Sequence, residues 1–175
     1  MSKKEVEVRS FISKEKYQQL KEFFSKKATL LEKRNEETFY LDSDQDLRIQ
    51  KTDDGAKVWL KKGKLHDNSR QELEVFFNRG DFNKMKEIFK AIGFEMEIKW
   101  ERKRLVFEWG GLTCMLDHTK NYGYIIELEK IVDKKETKEI YDRLKEKLKS
   151  LGVSITPKEE FDRRYQEYKS KHSLK

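Results

Sequence analysis

What most constrains this chain is a charge pattern carried on strands. Residues 3–12, KKEVEVRSFI, alternate strictly: Val6, Val8 and Ser10 fall on one side, and Glu5, Glu7, Arg9 and Phe11 on the other. Side chains along a strand project alternately to its two faces, so this segment belongs in a sheet with one apolar and one charged face. The pattern returns down the chain. Arg70, Glu72 and Glu74 share a face in RQELEVFF, and Glu127 and Glu129 flank Leu128 in YIIELEK. Arg102 and Arg104 share a face in ERKRLVF, Arg48 and Gln50 in LRIQK, and Lys57, Trp59 and Lys61 in KVWLKK. Glutamates two apart on a strand are separated by about 6.6 Å and repel by about 2 kcal/mol at an effective dielectric near 20. An ordinary core avoids that cost, whereas a divalent cation between the carboxylates removes it, because hard cations take oxygen ligands. A sheet with one solvated face shows the same alternation. If instead the sheet closes into a barrel, the charged faces converge inside, where carboxylates would hold metal and Arg and Lys would hold a polyanion.

The other segments complete an α+β plan. Further strands are predicted at 36–42, 46–52, 56–62, 70–77, 95–108, 112–118 and 122–131, with a tight turn at Asp54-Gly55 and another at Gly110-Gly111. Ser13 can cap a helix with Tyr17, Leu20, Phe23 and Phe24 on one face. Asp81 is the expected cap of a second helix, with Phe82, Met85, Ile88, Phe89 and Ile92 inside and Gly93 ending it. Asp133 and Glu136 resemble a capping box ahead of Ile140, Tyr141, Leu144, Leu148 and Leu151, closed by Gly152. Thr156-Pro157-Lys158-Glu159 reads as cap, first-turn proline and reciprocal glutamate of a fourth helix. No repeat or linker interrupts residues 1–175, so one α+β domain on an antiparallel sheet is expected.

Composition excludes several classes. Charged residues make up 42% of the chain, which would suggest disorder, but 12% are aromatic and there is 1 Pro, so a core can be buried. The longest apolar runs are only a few residues, so no membrane-spanning helix is expected. MSKKEVEVRS has no apolar h-region, and a cytoplasmic setting is expected. Cys114 is the sole cysteine, which excludes a disulfide framework, and its alternating strand marks it as a packing residue. His66, His118 and His172 lack metal-ligand spacing, and Lys62-Gly63-Lys64 lacks the upstream glycine of a P-loop. The net charge of +7 fits an anionic partner as well as a lysine-rich surface. Trp59 shares parity with Lys61, which suits either base stacking or a structural role at the mouth of such a barrel.

These segments resemble the CYTH family, the group of CyaB adenylyl cyclase and thiamine triphosphatase, also called triphosphate tunnel metalloenzymes. Glu5-Val-Glu7-Val-Arg9 resembles its E-x-E-x-K signature, Leu47-Arg48-Ile49 its L-R-I-R strand, and Trp59-Leu60-Lys61 its L-T-L-K strand. Arg70-Gln-Glu72-Leu-Glu74 matches R-x-E-x-E, and Arg102-Lys-Arg104 followed by Phe107 is similar to K-x-R-x-x-Y. Leu116-Asp117, Gly123 and Glu127-Leu-Glu129 resemble its L-D…G…E-x-E end. Each match alone is weak; six in the family's order across residues 5–129 are specific.

The resemblance implies a closed tunnel of eight antiparallel strands, a β-barrel with helices packed outside, that takes a triphosphate with Mg²⁺ or Mn²⁺. It implies metal ligation by Glu5, Glu7, Glu127 and Glu129, with Asp117 as an addition, and catalytic roles for Glu5, Glu7 and Glu129. Arg9, Arg48, Lys61, Arg70, Arg102 and Arg104 would contact phosphate oxygens, and Glu72 and Glu74 would support the same lumen. Arg9 replaces the signature lysine, Gln50 replaces the second arginine of L-R-I-R, and Arg102 stands where lysine is usual, which argues against proton donation there. The C-terminal EEFDRRYQEYK only loosely matches the family's closing Ser-Tyr element. The expected activity is metal-dependent hydrolysis of tripolyphosphate, a nucleoside triphosphate or thiamine triphosphate. The alternatives are an adenylyl cyclase making cyclic AMP from ATP, and a non-catalytic binder of polyphosphate or RNA 5′-triphosphate ends, with which Lys61-Lys62-Gly63-Lys64 is compatible. Other nucleic acid and membrane partners are not expected, and monomer and homodimer stay open.

Overall fold

In a computed structural model of the chain, which describes residues 3–62 and 71–174, eight strands and four α-helices alternate. The strands are β1 (Lys3–Ile12), β2 (Thr29–Leu41), β3 (Asp46–Lys51), β4 (Ala56–Lys62), β5 (Gln71–Phe77), β6 (Met96–Glu108), β7 (Thr113–Thr119) and β8 (Gly123–Asp133). The helices are α1 (Lys14–Lys27), α2 (Phe82–Ala91), α3 (Thr137–Ser150) and α4 (Lys158–His172). All eight strands join one sheet in the order β1-β8-β7-β6-β2-β3-β4-β5. Each of its ladders is antiparallel. Sequential antiparallel pairing builds two blocks, β2-β3-β4-β5 and β6-β7-β8. The long-range pair β2–β6 joins them, and β1–β8 adds β1 to the second block, with Glu7 opposite Glu129 and Arg9 opposite Glu127.

The apolar side of the alternation faces the helices. Val6 and Val8 of β1, Cys114 and Leu116 of β7 and Ile126 and Leu128 of β8 pack under Leu20 and Phe24 of α1 and Leu144 and Leu148 of α3. Phe82 of α2 packs with Phe39, Ile49 and Ala56 over β2, β3 and β4. Tyr165 and Tyr168 of α4 pack with Ile98 and Trp100. Cys114 is fully buried, and burial pushes its thiol up to about 12, consistent with a packing residue. No helix of the described residues is long and apolar enough to cross a membrane.

The structure corrects several local expectations. β2 begins at Thr29, seven residues before the predicted start. Asp81 makes no side-chain capping bond; Asn78 instead accepts from Gly80 N at the head of a 3-10 turn, Arg79–Asp81, that leads into α2. No capping side chain holds the turn after Asp133. Pro157, not Thr156, occupies the N-cap of α4, and Thr156 Oγ1 accepts from Phe11 N at 3.0 Å. Ile88 and Ile92, expected inside, are 53% and 64% exposed, because α2 turns only its Phe82, Met85 and Phe89 side to the sheet. The sheet is not closed by hydrogen bonds: β1 and β5 are its two ends, and no ladder joins them among the described residues. It nevertheless curls enough for both ends to line one cavity with the strands between them.

Candidate active site

Every strand turns charged or polar side chains into a cavity of about 340 Å³. Alternation explains this: the residues opposite to the helix-facing positions have no other side to occupy. Glu5, Glu7 and Arg9 enter from β1, Arg48 from β3, Lys61 from β4, and Glu72 and Glu74 from β5. Arg102 and Arg104 enter from β6, Asp117 from β7, and Glu127 and Glu129 from β8. Arg70 lies outside the described residues, as do His66 and Gly63-Lys64 of the basic loop.

The cavity has an acidic pole. Glu5 and Glu7 on β1 and Glu127 and Glu129 on β8 lie on adjacent strands. Burial, followed by the Glu129 carboxylate, raises the Glu5 carboxyl to about 7 against the pull of Lys61. Burial and Glu127 raise Glu129 to about 7 against Arg104. Negative charge on Glu5 and Glu129 is therefore not compensated by a contact ion pair among the described residues, whereas Glu7 has Arg9 at 3.7 Å and Glu127 has Arg104 at 3.6 Å. The donors are all carboxylate oxygens, which fits a hard divalent cation. They are not already gathered into a cage: among the described residues no three His, Cys, Asp or Glu side chains stand together as a formed metal cluster.

Beside the pole runs a ladder of arginines and carboxylates. Arg104 donates from Nε to Asp117 Oδ1 at 2.7 Å and from Nη2 to Asp117 Oδ2 at 2.6 Å, and its Nη2 lies 3.6 Å from Glu127 Oε2. Arg102 donates to Glu36 Oε2 at 2.6 Å and to Asp117 Oδ2 at 3.2 Å. Arg34 donates to Glu36 Oε1 and to Glu32 Oε2, each at 2.6 Å. Burial would raise the Glu36 carboxyl, but Arg102, Arg104 and Arg34 together hold it at about 2. Both oxygens of Asp117 are engaged by guanidinium groups, which makes it an anchor for Arg104 and Arg102 here rather than a member of the acidic pole.

The remaining cations differ in their commitments. Arg48 makes a two-pronged bond to Asp46, both contacts 2.6 Å, and lies over the Tyr40 ring at 4.3 Å and the Trp59 ring at 5.5 Å. Lys61 pairs with Glu72, directly across the β4–β5 ladder. Arg9 lies 3.7 Å from Glu7 and over Phe161, while its Nη2 is buried without a hydrogen-bond partner. A buried guanidinium nitrogen with no acceptor fits an anionic oxygen arriving in the cavity. Phe161 and Tyr165 of α4 complete the wall near Tyr40, Trp100 and Tyr122.

Glu32, Arg34 and Glu36 were missed by sequence reasoning. Glu32, Arg34 and Glu36 share a parity, but the adjacent Leu30-Leu31 breaks the apolar alternation that would have marked the strand. Trp59 is 5% exposed and lines the cavity, as its parity with Lys61 requires.

The sequence matches the CYTH domain over residues 3–164. The chain belongs to the CYTH family. It is 28% identical over 116 residues to MJ0240 of Methanocaldococcus jannaschii, an adenylate cyclase candidate by name, and the match spans 66% of each chain. A conserved hypothetical protein of Pyrococcus furiosus shares the fold with a TM-score of 0.74 and 25% identity, over 88% of this chain and 96% of that one. The Hippeastrum protein HpAC1, an adenylyl cyclase candidate described as having a dominant triphosphatase activity, matches with a TM-score of 0.68 and 18% identity over 99% and 98%. At that identity the likeness to HpAC1 concerns the fold. Membership of the CYTH family supports an enzyme acting on a triphosphate with a metal.

Proposed function

We propose that this CYTH protein is a metal-dependent triphosphatase whose substrate lies in the cavity between the acidic pole and the arginine ladder. The observation that carries the reading is the juxtaposition in one cavity of uncompensated carboxylates, Glu5 and Glu129, with the buried, unpartnered Nη2 of Arg9. The carboxylates call for a cation and the arginine nitrogen for an anion, and a metal–polyphosphate supplies both.

Glu5, Glu7, Glu127 and Glu129 would hold Mg²⁺ or Mn²⁺. When bound, the metal supplies charge neutralisation at phosphate oxygens. Arg9, Arg48, Lys61, Arg102 and Arg104 fix the phosphate chain. Arg102 and Arg104 arrive pre-oriented by Glu36 and Asp117, so little freedom is lost when substrate binds. A glutamate of the pole whose carboxylate is left free of the metal would accept a proton from the attacking water.

Inorganic phosphate release from tripolyphosphate, ATP and thiamine triphosphate, with Mg²⁺ or Mn²⁺ and with EDTA, tests the reading. Release that EDTA abolishes supports it; no turnover of any of the three by metal-loaded protein refutes it. The name of the Methanocaldococcus relative favours a second reading, cyclisation of ATP. Cyclic AMP and pyrophosphate, in place of inorganic phosphate, would decide for it.

A further inference from the structure

We propose that Lys57 is an additional phosphate-binding residue of this cavity and that Glu74 occupies it until substrate arrives. The inference rests on the function proposed above and adds a residue to it. In the β3–β4 ladder Lys57 stands directly opposite Gln50, and both line the cavity. Opposed residues have Cβ atoms about 5 Å apart, so a cation at either position serves the same part of the lumen. Gln50 is the position at which LRIQ departs from L-R-I-R. It is 4% exposed and donates from Nε2 to Thr38 Oγ1 at 2.9 Å, so it brings no charge to this part of the wall. Lys57 returns that charge from the neighbouring strand.

Availability points the same way. Arg34, Arg102 and Arg104 each touch two carboxylates, and Arg48 is forked onto Asp46. Among the described residues Lys57 Nζ has one carboxylate, Glu74 Oε1 at 2.5 Å, reached diagonally because Glu74 lies opposite Trp59. Glu74 sits on β5, an end strand whose only ladder among the described residues is with β4. A pair with both side chains about one quarter exposed, 24% and 29%, is weakly held. The Trp59 ring, 4.7 Å from Lys57 Nζ, keeps the ammonium in place when the carboxylate leaves. To an ammonium, carboxylate and phosphate oxygens are interchangeable partners. Glu74 is thus an internal stand-in for a phosphate oxygen, and removing it frees the lysine.

The test is tripolyphosphate binding by calorimetry in EDTA, with KM and kcat measured in Mn²⁺, for wild type, Lys57→Gln, Glu74→Gln and Lys57→Gln/Gln50→Arg. Lys57→Gln is expected to weaken binding about tenfold and to raise KM more than it lowers kcat. Glu74→Gln is expected to tighten binding, and the arginine at 50 to restore most of the affinity lost at 57. Urea midpoints confirm that each variant folds. Unchanged affinity in both single variants, with wild type binding and hydrolysing normally, overturns the proposal and leaves the pair a structural one. Loss of activity in Glu74→Gln without tighter binding also overturns it. A wild-type protein that binds no tripolyphosphate instead refutes the functional reading itself.

Discussion

Glu5 and Glu129 are the residues on which chemistry and stability meet. Each carboxyl is raised from 4.5 to about 7 in the folded chain, first by burial and then by neighbouring carboxylates. The folded state therefore binds more protons than the unfolded one between those values, and metal-free stability falls as pH rises from about 4.5 to about 7. Urea unfolding in EDTA at pH 5.5 and pH 8 checks this: the protein should be more stable at the lower pH, and Glu5→Gln with Glu129→Gln should flatten the difference. The same substitutions should lower metal-dependent phosphate release by about a hundredfold or more, the scale expected when a group acting in the transition state is removed, without loss of the folded state. Glu36 behaves oppositely. Its side chain is 1% exposed and links Arg34 to Arg102, so Glu36→Gln leaves two partly buried guanidinium groups short of a charged partner. A loss of about 3 kcal/mol is expected, read as a lower urea midpoint. The acidic pole was legible because E-x-E places both carboxylates on one face; Glu36 was not, because the strand carrying it lacks a clean apolar alternation.

Among the elements, hairpins and amphipathic helices were readable and helix caps were less so. Alternation and 3.6-residue spacing are properties of a segment, while a cap depends on what else its side chain can reach. Ser13 caps α1 as expected, its Oγ accepting from Lys16 N at 3.1 Å. Thr156 does not cap α4, because it has a better use: with Ser10 it binds the α3–α4 connection to β1. Ser10 Oγ donates to Ser154 O at 2.6 Å and accepts from Thr156 N at 2.8 Å, and the residue is fully buried. Ser10→Ala leaves a backbone N–H and a carbonyl without their partner, a cost of about 2 kcal/mol. The urea midpoint should fall while the slope stays constant, since the surface exposed on unfolding is unchanged. A matching fall in activity would show that α4, whose Phe161 and Tyr165 line the cavity, is positioned through this link.

At the scale of the whole molecule the decisive fact is that charged faces on distant segments meet. Alternation cannot reveal this, because convergence is set by the long-range β1–β8 and β2–β6 pairing and by curvature, none of which is encoded in any one strand's period. The curl brings the two ends of the sheet into electrical contact: Glu5 on β1 is influenced by Lys61 on β4 and Glu72 on β5, although no ladder joins β1 to β5 among the described residues. Like charges facing across that gap, Glu5 and Glu72, oppose its narrowing, and a cation at the acidic pole together with phosphates on Lys61 reverses the balance. A metal–tripolyphosphate complex should therefore stabilise the folded chain by linkage, about 2.7 kcal/mol at a hundredfold excess over Kd, and should do so unevenly. Hydrogen exchange with Mn²⁺ and tripolyphosphate present is expected to slow most at backbone amides of β1 and β5, the two strands with a single ladder partner among the described residues, and least in α3, which packs outside against β1 and β8. EDTA should reverse the protection. Uniform slowing across the chain would show that ligand stabilises the fold without acting across the gap, whereas protection confined to β1 and β8 would place the whole ligand at the acidic pole.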